Sequence, residues 1–112
     1  MGGGQKPYSR RRAMISAGLI VRPAAEADLV EAYEWYGQRE AGLGVELIRC
    51  FDSCVQLIRR HPEIYPMIHK HVRQGVIRRF PYSVMYFTAG EDVVIISVFH
   101  AARDPRIWKR RI

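Results

Sequence analysis

The apolar positions of this chain change their period once, and the change divides it into a helical part and a strand part. "AAEADLVEAYEWYGQRE" (24–40) sets Ala25, Leu29, Ala32 or Tyr33, and Tyr36 at helical spacing, with acidic residues early, as a helix N-terminus prefers. "AGLG" interrupts the pattern. "VELIRCFDSCVQLIRRHP" resumes it with a stripe of Leu47 or Ile48, Phe51, Cys54 or Val55, and Ile58, until Pro62 stops the helix. So short a break between two helices predicts an antiparallel helical hairpin. Past "PEIYPMI", read as a loop, the period becomes that of strands. "HKHVRQGVIRRF" alternates loosely, "SVMYFTAG" is rich in β-branched and aromatic residues, and "VVIISVF" is apolar except at Ser97. Such a run predicts a central strand covered on both faces. Pro81 separates the first two of these strands, and a turn at 89–92 makes a hairpin of the last two. Upstream, "ISAGLIVRP" predicts an opening strand ended by Pro23. Downstream, Asp104 and Pro105 supply the cap and first turn of a short helix, "PRIWKRRI". The order is β-α-α-β-β-β-α. It predicts an α+β fold: a small antiparallel-type sheet, an N-terminal αα-hairpin packed on one face, and a short C-terminal helix.

At 112 residues the chain has room for one domain, expected over 14–112, behind a Gly- and Arg-rich flexible basic tail over 1–13. No apolar run reaches the roughly 18 residues of a membrane span, and the N-terminus lacks the apolar core of a secretory signal. Cys50 and Cys54 fall on one helix face as small core-side residues rather than a bridge, which predicts a reduced, cytoplasmic protein.

Charge adds a direction to this picture. Up to Ile58 the chain carries seven basic and seven acidic residues; from Arg59 onward it carries 11 basic against 4 acidic, the whole of its net +7. A surface of that kind suits a polyanion or an acidic protein segment. His69 and His71 share a strand face with His61 near in sequence, but no cysteine or carboxylate stands beside them at ligand spacing, so no metal is expected. Nor is a cofactor: "AGLG" joins two helices and is a turn, not a phosphate loop.

Several short patterns fall in a particular order: "A-x-x-D-L-x-E-A" (25–32), "W-Y" (Trp35, Tyr36), "G-L-G" (42–44), "P-x-x-Y-P" (62–66), "R-R-F-P-Y-S-V-M-Y" (78–86) and "I-x-V-F-H-x-x-R-D-P-x-x-W" (96–108). Their sequence and spacing resemble the RelE/ParE toxins of bacterial type II toxin–antitoxin modules, over Ile20 to Arg111. The resemblance implies a small basic toxin neutralised by an antitoxin whose acidic, amphipathic tail folds around it, so that toxin and antitoxin form a hetero-oligomer. Trp35 and Tyr36 on the helical hairpin, with Arg73, Arg78, Arg79, Arg103 and Trp108, are the residues expected to meet antitoxin or target; core filling is the alternative for one of the two hairpin aromatics.

The resemblance divides on chemistry. RelE-like members are ribosome-dependent ribonucleases acting on mRNA, and ParE-like members act on DNA gyrase without being hydrolases. Attack by a ribose 2′-OH needs a base, an acid and fixed cations around the phosphate. Here the candidates are His100 as acid or base, Arg73, Arg78, Arg79 and Arg103 as cations, and Tyr86 as a weaker choice. The ribonuclease branch usually carries a lysine-rich middle segment, of which this chain has only Lys70, and the "H-x-x-R-D-P-x-x-W" ending resembles the ParE-like, plasmid-stabilisation branch. A structural alternative stands beside the catalytic one: His100 bonded at a strand end, Arg103 paired with Asp104 or an acidic helix residue, and Trp108 packed under the helix. The first expectation is a ParE-like toxin, the second a RelE-like ribonuclease, and the third a toxin-fold relic that binds only its antitoxin.

Overall fold

The computed structural model describes residues 14–16 and 18–112; the tail predicted over 1–13 lies outside the described residues. The elements are β1 (Met14–Ser16), β2 (Leu19–Val21), α1 (Pro23–Arg39), α2 (Leu43–Arg60), β3 (Met67–His69), β4 (Val72–Ile77), β5 (Tyr82–Ala89), β6 (Asp92–His100) and α3 (Arg106–Lys109). The strands form one sheet in the order β1-β2-β6-β5-β4-β3, antiparallel throughout except where β2 runs parallel to β6. The fold is α+β, with the helical hairpin on one face and the short helix at the end.

Two short strands add detail to the predicted order. The opening strand is a hairpin turned at Gly18, whose φ of +77° favours glycine. Pro23 is the first residue of α1, where a missing N–H leaves no helical bond unmade. Met67 and Ile68, read as the end of a loop, join His69 in a short strand, β3, that pairs with β4.

The helices lie where their stripes predict. Ala25 and Ala32 of α1 and Leu47, Phe51, Cys54, Val55 and Ile58 of α2 are buried against Ile77, Val84, Tyr86 and Ile95 of the sheet. The hairpin is tight at Gly44, where a Cβ would sit 2.6 Å from the Tyr33 carbonyl oxygen. A second cluster on the opposite face gathers Val72, Met85, Val94, Ile96 and Phe99 around Trp108. β6 serves both. Met85 pairs with Ser97 and Tyr86 with Ile95, so Ile96 is the extra residue of a β-bulge. The bulge exchanges the faces of β6: Val93 and Ile95 point to the helices, but beyond it Val98 does so, and Phe99 points away.

Candidate functional site

The end of β6 has a backbone problem, and its solution organises the C-terminus. β2 stops at Val21, and the bond from Arg22 N–H to the Ile95 carbonyl (3.0 Å) follows it. β6 continues to His100, and side chains take over along that edge. The Asp28 carboxylate accepts the Val98 N–H at 3.0 Å and the Ser97 hydroxyl at 3.3 Å. Arg111 donates to the Ile96 carbonyl at 2.9 Å and grips Asp28 with two bonds of 2.7 and 3.2 Å. Arg22 in turn donates to the Arg111 carbonyl at 3.1 Å. Together with the buried Trp108, these bonds clasp the last residues to the sheet.

Beside this clasp lie His100 and Arg103. His100 Nδ1 accepts the Ala102 N–H at 2.9 Å, which puts the proton of the neutral ring on Nε2. The ring meets Tyr82 edge-on at 4.9 Å. Burial pushes the Tyr82 hydroxyl pKa up, Tyr36 and Glu31 adding to the shift and Arg103 opposing it. Arg103 is exposed, and Asp104 is taken by Arg106 instead, through bonds of 2.6 and 2.9 Å. That guanidinium holds the Asp104 carboxyl below its usual pKa. Asp104 also accepts the Arg106 N–H at 2.9 Å, but it stands one residue ahead of Pro105, and Pro105 rather than the aspartate occupies the N-cap of α3. Glu31, Tyr82, His100, Arg103 and the clasp enclose a recess of about 20 Å³. Such a space admits a single water-sized group and no ribose or base.

The remaining cations stand elsewhere. Arg73 donates to the carbonyls of Tyr65 (2.6 Å) and Glu63 (3.3 Å), while the fully buried Tyr86 donates its hydroxyl to Pro62 at 2.7 Å. Between them they fasten the 62–65 loop to the sheet. Burial raises the Tyr86 pKa, with Arg73 pulling the other way. Arg79 sits in the β4–β5 turn at φ +73° and reaches Glu46 on α2 at 2.8 Å; Arg49 holds the other oxygen of that carboxylate at 3.5 Å. Arg78, next to it, is exposed and lines a groove between α2 and β4. The candidate residues therefore occupy three places: Arg73 under the 62–65 loop, Arg78 and Arg79 at a turn beside α2, and His100 with Arg103 at the end of β6.

The two hairpin aromatics part company. Tyr36 is half-buried, edge-on to Phe80 (5.0 Å) and Tyr82 (6.2 Å), whereas Trp35 is exposed with the Arg39 guanidinium 3.6 Å above its ring. Trp108 is 2% exposed and meets His69 edge-on at 5.9 Å. His71 packs on Phe87 at 4.8 Å. Among the described residues no three His, Cys, Asp or Glu side chains converge as a metal ion requires. No helix among them is long and apolar enough to cross a membrane.

Asp28 and Arg111 escaped the sequence reading. The aspartate stands in the "A-x-x-D-L" pattern, but its partner lies 83 residues away and nothing local joins them. A carboxylate on the inner side of a helix was the one available sign.

A family model described as "ParE toxin of type II toxin-antitoxin system, parDE" matches residues 19–105. Among solved structures, a chain of the chromosomal ParDE toxin–antitoxin system from P. aeruginosa is similar in fold, with a TM-score of 0.55 and 18% identity over 74% of this chain and 94% of that one. No curated protein sequence matches significantly.

Proposed function

Because the chain belongs to the ParE toxin family of type II toxin–antitoxin systems, we propose that it arrests growth by binding a macromolecular target, DNA gyrase, and that an acidic antitoxin neutralises it. The observation that carries this reading is the dispersal of the candidate catalytic side chains. Cleavage of RNA needs an acid, a base and cations around one phosphate. Here Arg73 is spent on two backbone carbonyls, Arg79 on Glu46 and His100 Nδ1 on a backbone amide. What is left for partners is surface: Trp35 on α1, and the uncompensated positive charge of the second half. Fixed arginines beside apolar grooves favour a segment that brings carboxylates. Gyrase and antitoxin both place the encounter in the cytoplasm.

The test is induction of the chain in a bacterium lacking the adjoining gene, with plasmid supercoiling and mRNA integrity followed together. Gyrase inhibition with intact mRNA is expected. His100→Ala should keep its toxicity and lose about 1 kcal/mol of stability, the worth of one bond and one ring contact. Codon-phased mRNA cuts, with toxicity lost in His100→Ala, would overturn the reading in favour of a ribosome-dependent ribonuclease. Normal growth with both intact would leave a chain that binds only its antitoxin.

A further inference from the structure

Helix α1 is apolar on two sides. Ala25, Leu29, Ala32 and Tyr36 pack into the core. Val30, Tyr33 and Gly37 recur at helical spacing on the opposite side, where all three are exposed. With Trp35 and, across the hairpin, Val45, this leaves four large apolar side chains 38–50% exposed. A helix packed by one face alone normally turns polar residues outward. Gly37 is the least expected of them. It stands inside the helix, its φ is not positive, and a Cβ there would meet nothing within 4 Å. Glycine is among the poorest helix formers, and no contact among the described residues requires it here. A bare backbone turned to solvent suits the close approach of another molecule. Beside it lies a groove of about 410 Å³ between α1 and the start of α2, with Tyr33 and Val45 among its walls and Glu34 as its one charged side chain. From Pro23 to Glu40 the chain carries five acidic residues and one basic, in a protein of net +7. Asp28 is held by Arg111, but among the described residues no cation lies within ion-pair distance of Glu31, Glu34 or Glu40. The basic residue, Arg39, lies over the Trp35 ring.

We propose that this outer face of α1 is the surface by which the toxin grips its target, and that a basic segment of the target seats a lysine or arginine in the groove. The cation would meet Glu34, and its apolar stem would lie along Tyr33 and Val45. The sign of the charge chooses the occupant. An acidic antitoxin tail and a nucleic acid would both be repelled there, and a second copy related by a twofold axis would set glutamate against glutamate. A protein that holds DNA, by contrast, carries lysines and arginines on the surfaces that hold it. Apolar groups at the centre of a patch with charge around them are also what a specific protein contact uses. The proposal rests on the gyrase reading for the identity of the target. It assigns the two partners to different surfaces, the antitoxin to the arginines of the second half and the target to α1.

The test measures three things: inhibition of purified gyrase in a supercoiling assay, growth arrest on induction, and complex formation with the product of the reading frame adjoining the gene. Glu34→Lys should raise the concentration needed for half-inhibition at least about tenfold and leave the complex with the adjoining product intact. Gly37→Gln fills the bare site with a good helix former. Its melting temperature should rise by about 2–5 °C while its inhibition weakens at least about tenfold, giving a more stable chain that has lost its target. Unchanged inhibition in either variant would overturn the proposal and leave the gyrase reading standing. Loss of the complex with the adjoining product, inhibition being kept, would overturn it in favour of an antitoxin site on α1. If the unaltered chain does not inhibit gyrase but still arrests growth, the gyrase reading falls; arrest abolished by both variants would then keep the acidic face for another basic target, and arrest kept by them would overturn it. Neither inhibition nor arrest by the unaltered chain would bring down both readings.

Discussion

Replacing Arg111 by methionine keeps the length of the stem and removes the guanidinium that clasps the C-terminus. Three bonds go with it: two to Asp28, and one to the Ile96 carbonyl. The Asp28 carboxylate, 17% exposed, would keep the Val98 N–H and the Ser97 hydroxyl but lose its counter-charge. Breaking a fully buried ion pair costs about 3–5 kcal/mol. Both partners here retain some contact with water, and screening lowers that to about 2–3 kcal/mol. Against a total of about 5–15 kcal/mol for a domain, this is a large share, equivalent to a fall in melting temperature of about 8–20 °C. The assay is urea and thermal unfolding followed by circular dichroism, in a cycle with Asp28→Asn. The clasp predicts a coupling of at least about 1.5 kcal/mol between the two positions. Additive effects, or a melting shift below about 4 °C, would refute the reasoning and reduce the pair to an ordinary surface contact.

Two further substitutions grade the close approaches of the helices. Gly44→Ala sets a Cβ 2.6 Å from the Tyr33 carbonyl oxygen, and should cost about 2–3 kcal/mol despite the better helix propensity of alanine. Gly75→Ala meets Cys54 Sγ, Ile58 Cδ1 and the Tyr65 ring at 3.2–3.3 Å, and should cost about 1 kcal/mol; thermal melts that reverse this order would contradict the packing. Burial pushes the Cys54 thiol pKa up to about 11 from 9.0, so the folded state holds that proton after the unfolded chain has lost it. Stability is therefore expected to fall as pH rises from about 9 to about 11, the folded chain binding more protons across that window. Burial also raises the pKa values of Tyr65, Tyr82 and Tyr86, which add to the same trend. A thiol reagent at pH 8 should modify Cys50 first and leave Cys54 unreacted until the chain unfolds; equal rates would count against the buried thiol.

Local patterns carried most of the architecture. The two helical stripes named the residues that pack on the sheet, and the apolar run from Val93 to Phe99 named the strand covered on both faces. Gly18 hid a turn inside an apparent strand, because one glycine among β-formers reads equally as a bulge, a bend or a filler. β3 was missed because three residues are too few to show a period. The site was legible by residue type and not by arrangement. Trp35 and Tyr36 are neighbours in sequence, yet only Tyr36 turns toward Phe80 and Tyr82, leaving Trp35 to solvent. Arg73 and Arg79 look alike in the sequence; one is tied to a loop backbone and the other to a carboxylate on α2.

By itself the sequence determined the element order, the two faces of the hairpin and the concentration of positive charge in its second half, since each depends on spacing or composition along the chain. The bulge at Ile96 and the clasp of Asp28 by Arg111 were decided only in three dimensions. The clasp arises where β6 outlasts β2 and its backbone groups must find another partner, and which partner comes near depends on how distant segments pack.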